Sequence, residues 1–346
     1  VGTAADSLKT RESAAGEAFL PKIALRPKFF WPRLLLPKLL ERWHLLSLDA
    51  PTVAALWSWF FARALRIGLP WHAPLLLAIG TWLVYAADRI FDGVRDGLRC
   101  GGSKLQQRHL FHARHRRAFL AGGVVAVAVL LWLIVAKMSA NARYEDTVLF
   151  SAALLYLLVV HTPALKSGRW LPKELAVGFV FAAATAVPAW SRLAGSQVTW
   201  SQLPAGRAAL APAVAVFAAL CWLNCVAIER WENPGRWEDD ASQLRLPDTH
   251  PTTRWTAERF RPAAFALATL SGMLALGLSV FGFGAGARGM VAVHLAVAGA
   301  ALVLAAIDFA AIDWRGDRRG RRIATLHLRI AADLALLTPL LFLAFL

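Results

Sequence analysis

The stretch Ala118-Phe-Leu-Ala-Gly-Gly-Val-Val-Ala-Val-Ala-Val-Leu-Leu-Trp-Leu-Ile-Val-Ala136 carries no charge from end to end. It has close to the ~20 apolar residues that a helix needs to cross the hydrocarbon layer of a bilayer. Arginines 114, 116 and 117 stand just before it and Lys137 just after. Eight further apolar segments lie to either side, at 52–69, 73–87, 148–161, 175–190, 208–228, 263–283, 290–311 and 330–346. The segment at 73–87 continues as a polar helix through Asp96, and the short one at 148–161 stops at Pro163. Several fall short of a full span, so those helices must extend into their loops. The pattern predicts an all-α polytopic membrane protein, a bundle of nine transmembrane helices around a central cavity. A basic segment (residues 1–45) precedes it, and the helical domain fills residues 46–346.

Composition agrees. The 346 residues are 58% hydrophobic and only 17% charged, against roughly 25% charged in an ordinary soluble domain. This excludes a disordered tail, a disulfide scaffold and a typical soluble enzyme. The net charge of +16 could suggest nucleic acid, but no recognition motif accompanies it. Its distribution is a topology signal instead. Of the 38 Lys and Arg, all but Arg63, Arg66, Lys137, Arg143, Arg192, Arg207 and Arg288 fall in alternate loops and the N-terminal segment. The positive-inside rule then predicts a cytoplasmic N-terminus, with membrane lipids as partners of the basic face. Of the acids, only Glu145 and Asp146 fall in outside loops. Asp49, Asp308 and Asp333 lie near cytoplasmic helix ends, and carboxylates at such depth usually face a cavity or a partner. Cys221 and Cys225, one turn apart in an apolar run, read as small core residues.

Three polar stretches could carry chemistry. Asp88-Arg-Ile-Phe-Asp92-Gly-Val-Arg-Asp96 places carboxylates at i, i+4 and i+8, on one helix face. Like charges so spaced destabilise a helix, so the ladder calls for a reason; a solvated helix end is one and a divalent cation site another. Mg²⁺ takes one or two carboxylates plus substrate phosphate oxygens. Glu229-Arg-Trp-Glu232-Asn233 offers a second cluster at the same face, weak alone and stronger beside the first. The loop His161-Thr-Pro-Ala-Leu-Lys166-Ser-Gly-Arg169 supplies cations for a phosphate. By contrast, His109, His112 and His115 sit among the arginines at 108, 114, 116 and 117 and read as a surface helix rather than a zinc site. Most tryptophans read as lipid-interface anchors.

Together these stretches resemble the UbiA superfamily of intramembrane prenyltransferases. In that family's first motif, Asn-Asp-x-x-Asp-x-x-x-Asp, Asp88 stands at the Asn and Arg89 at the first Asp, followed by Asp92 and Asp96. In its second motif, Asp-x-x-x-Asp, Glu229 and Asn233 hold the two ends. Ser47-Leu-Asp49-Ala-Pro51 is similar to its Arg-Leu-Asp-Lys-Pro start, with Ser47 and Ala50 in place of two cations. The resemblance implies Mg²⁺-dependent transfer of a prenyl group from a prenyl diphosphate to a hydrophobic acceptor. Asp88, Asp92, Asp96, Glu229, Glu232 and Asn233 would hold the metal, with Asp92, Asp96 and Glu229 central to catalysis. Lys166, Arg169, Arg89, Asn224 and Tyr85 would contact substrate. It also implies a bacterial cytoplasmic membrane and a site open to the cytoplasm. A UbiA-type terpene cyclase and a non-catalytic lipid-binding or scaffold subunit of a membrane complex are the alternatives.

Overall fold

The computed structural model describes residues 36–100, 107–140, 143–144, 147–148, 150–151, 172–193, 203–232, 250–281, 285–316 and 325–346. The chain divides into a short first unit, Val1–Pro37, and a large second unit, Lys38–Leu346, to which the long apolar helices belong. Among the described residues there are helices and no strand. In chain order they are α1 (Leu36–Leu45), α2 (Asp49–Ala64), α3 (His72–Cys100), α4 (Gln107–Arg114), α5 (Arg116–Lys137) and α6 (Lys173–Leu193). Then come α7 (Leu203–Glu232), α8 (Pro251–Glu258), α9 (Phe260–Phe281), α10 (Ala285–Gly316), α11 (Thr325–Ala335) and a closing 3-10 helix, Thr338–Phe345.

Among the described residues, seven helical stretches are long and apolar enough to cross a membrane, and α1 with α2 passes the same test together as a bent pair. The seven stretches correspond to seven of the nine segments expected from sequence. The segment at 148–161 lies almost wholly outside the described residues. The segment at 52–69 folds as α2, which has 16 residues and so reaches only about 24 Å. It ends at Ala64 because the chain turns at Arg66, whose φ is 57°. The helix after the second segment does run on past Asp96, to Cys100. Before residue 46, where sequence suggests only a basic segment, the chain forms α1, bent 91° from α2. The break is at Leu46-Ser47-Leu48, with Ser47 at φ 59°, a left-handed conformation uncommon in a non-glycine residue.

The surface identifies the solvent. On α5 only Phe119 and Leu133 are buried, while Val124 and Val135 are each 72% exposed. A face this apolar is not sustained in water but is ordinary in lipid. The chain is an integral membrane protein by the length and composition of these helices.

Between helices, lipid removes most of the hydrophobic drive, so close packing carries the association. Small residues allow it. A Cβ added at Gly178 would meet the backbone nitrogen of Trp222 at 2.7 Å, and one at Gly289 would meet the Ala64 carbonyl oxygen at 2.2 Å. α6 therefore crosses α7, and α10 crosses α2, backbone against backbone. The aromatic centre is Trp57, stacked on Phe217 at 4.0 Å and edge-on to Phe60. Its indole N–H donates to the Leu336 carbonyl at 2.8 Å. This bond ties α2 to the C-terminal end of the bundle, just past α11.

Candidate functional site

The right-angle break between α1 and α2 gathers a cluster of buried polar side chains. Ser47 turns the chain there, and Asp49 opens α2 with its Oδ1 accepting from the Ala50 N–H at 3.0 Å. His44, at the end of α1, is fully buried. Its Nδ1 lies 2.7 Å from Asp49 Oδ2 and 3.4 Å from Asp333 Oδ2 on α11. From α3, Arg89 enters the same space and is itself buried. Its guanidinium donates to the His44 carbonyl at 2.7 Å, to Ser47 Oγ at 2.8 Å and to Asp49 Oδ2 at 3.0 Å. On the other side, Ser47 Oγ is 3.1 Å from His112 Nε2 of α4, whose ring stacks on Phe119.

The chemistry of this arrangement follows from its charges. Arg89 offers a planar fork and has three acceptors, so its charge is spent within the protein. Asp49 accepts from the Arg89 guanidinium and the Ala50 N–H, as a buried carboxylate requires, and the His44 ring nitrogen lies beside it. Tyr85, one turn before Arg89, lies within Coulomb range of Asp49, Asp333 and Cys225. α1, α2, α3, α4 and α11 thus border one polar interior.

The residues expected from sequence fall into three groups. Arg89 belongs to the buried cluster, and half-buried Tyr85 borders it. Asp88 is half-buried on α3, whereas the side chains of Asp92 and Asp96, on the same helix, lie outside the described residues. On α7, Asn224 is buried with its Oδ1 lacking a hydrogen-bond partner. Further along, Glu229 and Glu232 are half-buried; Glu232 accepts a charge-assisted hydrogen bond from Arg329. Lys166, Arg169 and Asn233 lie outside the described residues. Sequence reasoning gives no role to His44, nor to Asp333 as a partner of Asp49. A lone histidine before a loop carries no signal of its partner, and residues 44 and 333 are brought together only by the fold.

A second buried cluster lies at α10. Asp308, fully buried, accepts at Oδ1 from Arg230 Nε at 3.0 Å and Trp231 Nε1 at 3.0 Å. Its Oδ2 accepts from Arg261 Nε at 3.0 Å. Arg230 also donates to the Ala257 carbonyl at 2.6 Å. This binds α7, α8, α9 and α10 at one level.

Comparison with family models, with curated proteins and with solved structures finds no match.

Proposed function

We propose that the chain is a divergent intramembrane prenyltransferase of the UbiA type. On this reading it is a nine-span bundle with a cytoplasmic N-terminus, set in a bacterial cytoplasmic membrane. It transfers a prenyl group from a prenyl diphosphate to a hydrophobic acceptor, with Mg²⁺ held by the α3 ladder and Glu229. The observation that supports it is the meeting of Arg89 with Ser47 and Asp49. These are motif positions about forty residues apart, and here they touch. The unpaired amide oxygen of Asn224 adds to the case, because a buried acceptor without a donor suits a polar ligand.

In the reaction, Asp92, Asp96 and Glu229 would hold the metal, with Asp88, Glu232 and Asn233 beside them. Bound Mg²⁺ would stabilise the charge that grows on the leaving diphosphate. Lys166 and Arg169 would contact the phosphate, and Tyr85 and Asn224 would border the reacting end of the prenyl chain. A bilayer-embedded interior would keep water from the allylic cation.

One observation favours a second reading, a lipid-binding or scaffold subunit without catalysis. Arg89, a motif position, and Glu232, which lies within the second motif, are already neutralised by internal partners. Binding of farnesyl diphosphate to the purified chain in detergent, with and without Mg²⁺, decides between the two. The catalytic reading expects Mg²⁺-dependent binding, lost in both Asp92→Ala and Asp96→Ala. Binding that ignores Mg²⁺ and both substitutions supports the scaffold.

A further inference from the structure

We infer that His44, Asp49 and Asp333 form a transition-metal site, separate from the proposed magnesium ladder, that clasps α1 to α2 and α11. One ligand atom from each residue lies within 4.8 Å of the others. The set is one imidazole nitrogen and two carboxylate oxygens, contributed by three helices. Imidazole suits zinc, iron, copper or nickel, while carboxylates also accept manganese, so the mixed set favours a transition metal over magnesium.

The histidine points to a ligand on its own account. His44 is fully buried, and neither ring nitrogen makes a hydrogen bond of acceptable direction. Nδ1 is only 2.7 Å from Asp49 Oδ2, so distance is not what denies it a hydrogen bond. Buried polar atoms are almost always satisfied. A cation seated on the Nδ1 lone pair and flanked by two carboxylates gives Nδ1 and both carboxylates a partner at once.

Charge leads to the same place. With a neutral imidazole, Asp49, Asp333 and Arg89 leave one negative charge uncompensated in a largely buried setting, which is costly. A divalent cation answers that remainder. Arg89 holds Asp49 Oδ2 at 3.0 Å and so fixes the orientation of one ligand, as outer partners of metal sites do.

The test uses the full chain in detergent, stripped of metal and titrated with Mn²⁺. Electron spin-echo modulation reads coupling from a nitrogen ligand on the wild-type protein, so it does not depend on a variant folding. The expected result is one Mn²⁺ per chain with ¹⁴N coupling, displaced by Zn²⁺ and not by equimolar Mg²⁺. His44→Gln abolishes the coupling, and Asp333→Asn weakens binding at least about tenfold. Asp92→Ala with Asp96→Ala leaves it intact, which separates this site from the proposed prenyltransferase site. Absence of ¹⁴N coupling, or Mn²⁺ affinity indifferent to Asp333→Asn, overturns the proposal and leaves a protonated His44 to balance the charge.

Discussion

Asp308 and Asp333 sit on neighbouring helices, α10 and α11, yet meet different surroundings. Asp308 receives three directed donors and is outnumbered by its cations, Arg230 and Arg261. Asp333 lies 3.4 Å from His44, a histidine whose nitrogens lack a directed hydrogen bond, while the guanidinium of Arg89 bonds Asp49. The first cluster is complete as a structural joint, with nothing left to offer a ligand. The second is acid-rich and under-donated, which is the condition of a site. Burial alone does not distinguish the two; the count and direction of donors do.

The sharpest way to break that contrast is Asp308→Ala. It leaves two arginines without their shared carboxylate, and removing one partner of a buried ion pair costs about 3–5 kcal/mol. Thermal unfolding in detergent should show a larger loss for this change than for the three milder ones. Trp231→Phe removes one neutral donor to Asp308 and should cost about 1 kcal/mol. Asp333→Asn, in metal-free protein, should cost less than about 1 kcal/mol, because it removes an uncompensated charge and keeps an acceptor. A loss equal to that of Asp308→Ala would erase the distinction between the clusters. Arg254→Ala, which breaks an exposed i, i+4 pair with Glu258, should change stability by about 0.5 kcal/mol or less. It sets the floor against which the others are read.

How far the sequence reaches follows the same division. Hydropathy locates the helices that lie in lipid, because that environment imposes a long uninterrupted run; α5 and α9 are legible for this reason. The i, i+4 ladder from Asp88 correctly carries α3 beyond its apolar part. α2 by itself is shorter than the expected segment and reaches span-like character only together with α1; its Trp57, Phe60 and Phe61 are buried in protein. Hydropathy misses α1, ten residues long and holding Lys38, Glu41 and Arg42, since a short charged helix has no span-like signature. For the site, the chain shows which positions depart from the resembled motif, Ser47 and Arg89 among them. It does not show that these two departures touch each other, nor that residue 333 completes the group. Such pairings belong to tertiary structure and leave no trace in local spacing.

The bond from Trp57 to the Leu336 carbonyl has a consequence for biogenesis. An aromatic helix near the beginning of the chain is sealed by a residue near its end. While the ribosome is still at work, α2 lacks the neighbours that cover its rings, and a helix of 16 residues is poorly matched to the bilayer on its own. The early part of the chain must therefore wait, held by the insertion machinery or by lipid, until translation delivers its closing partner.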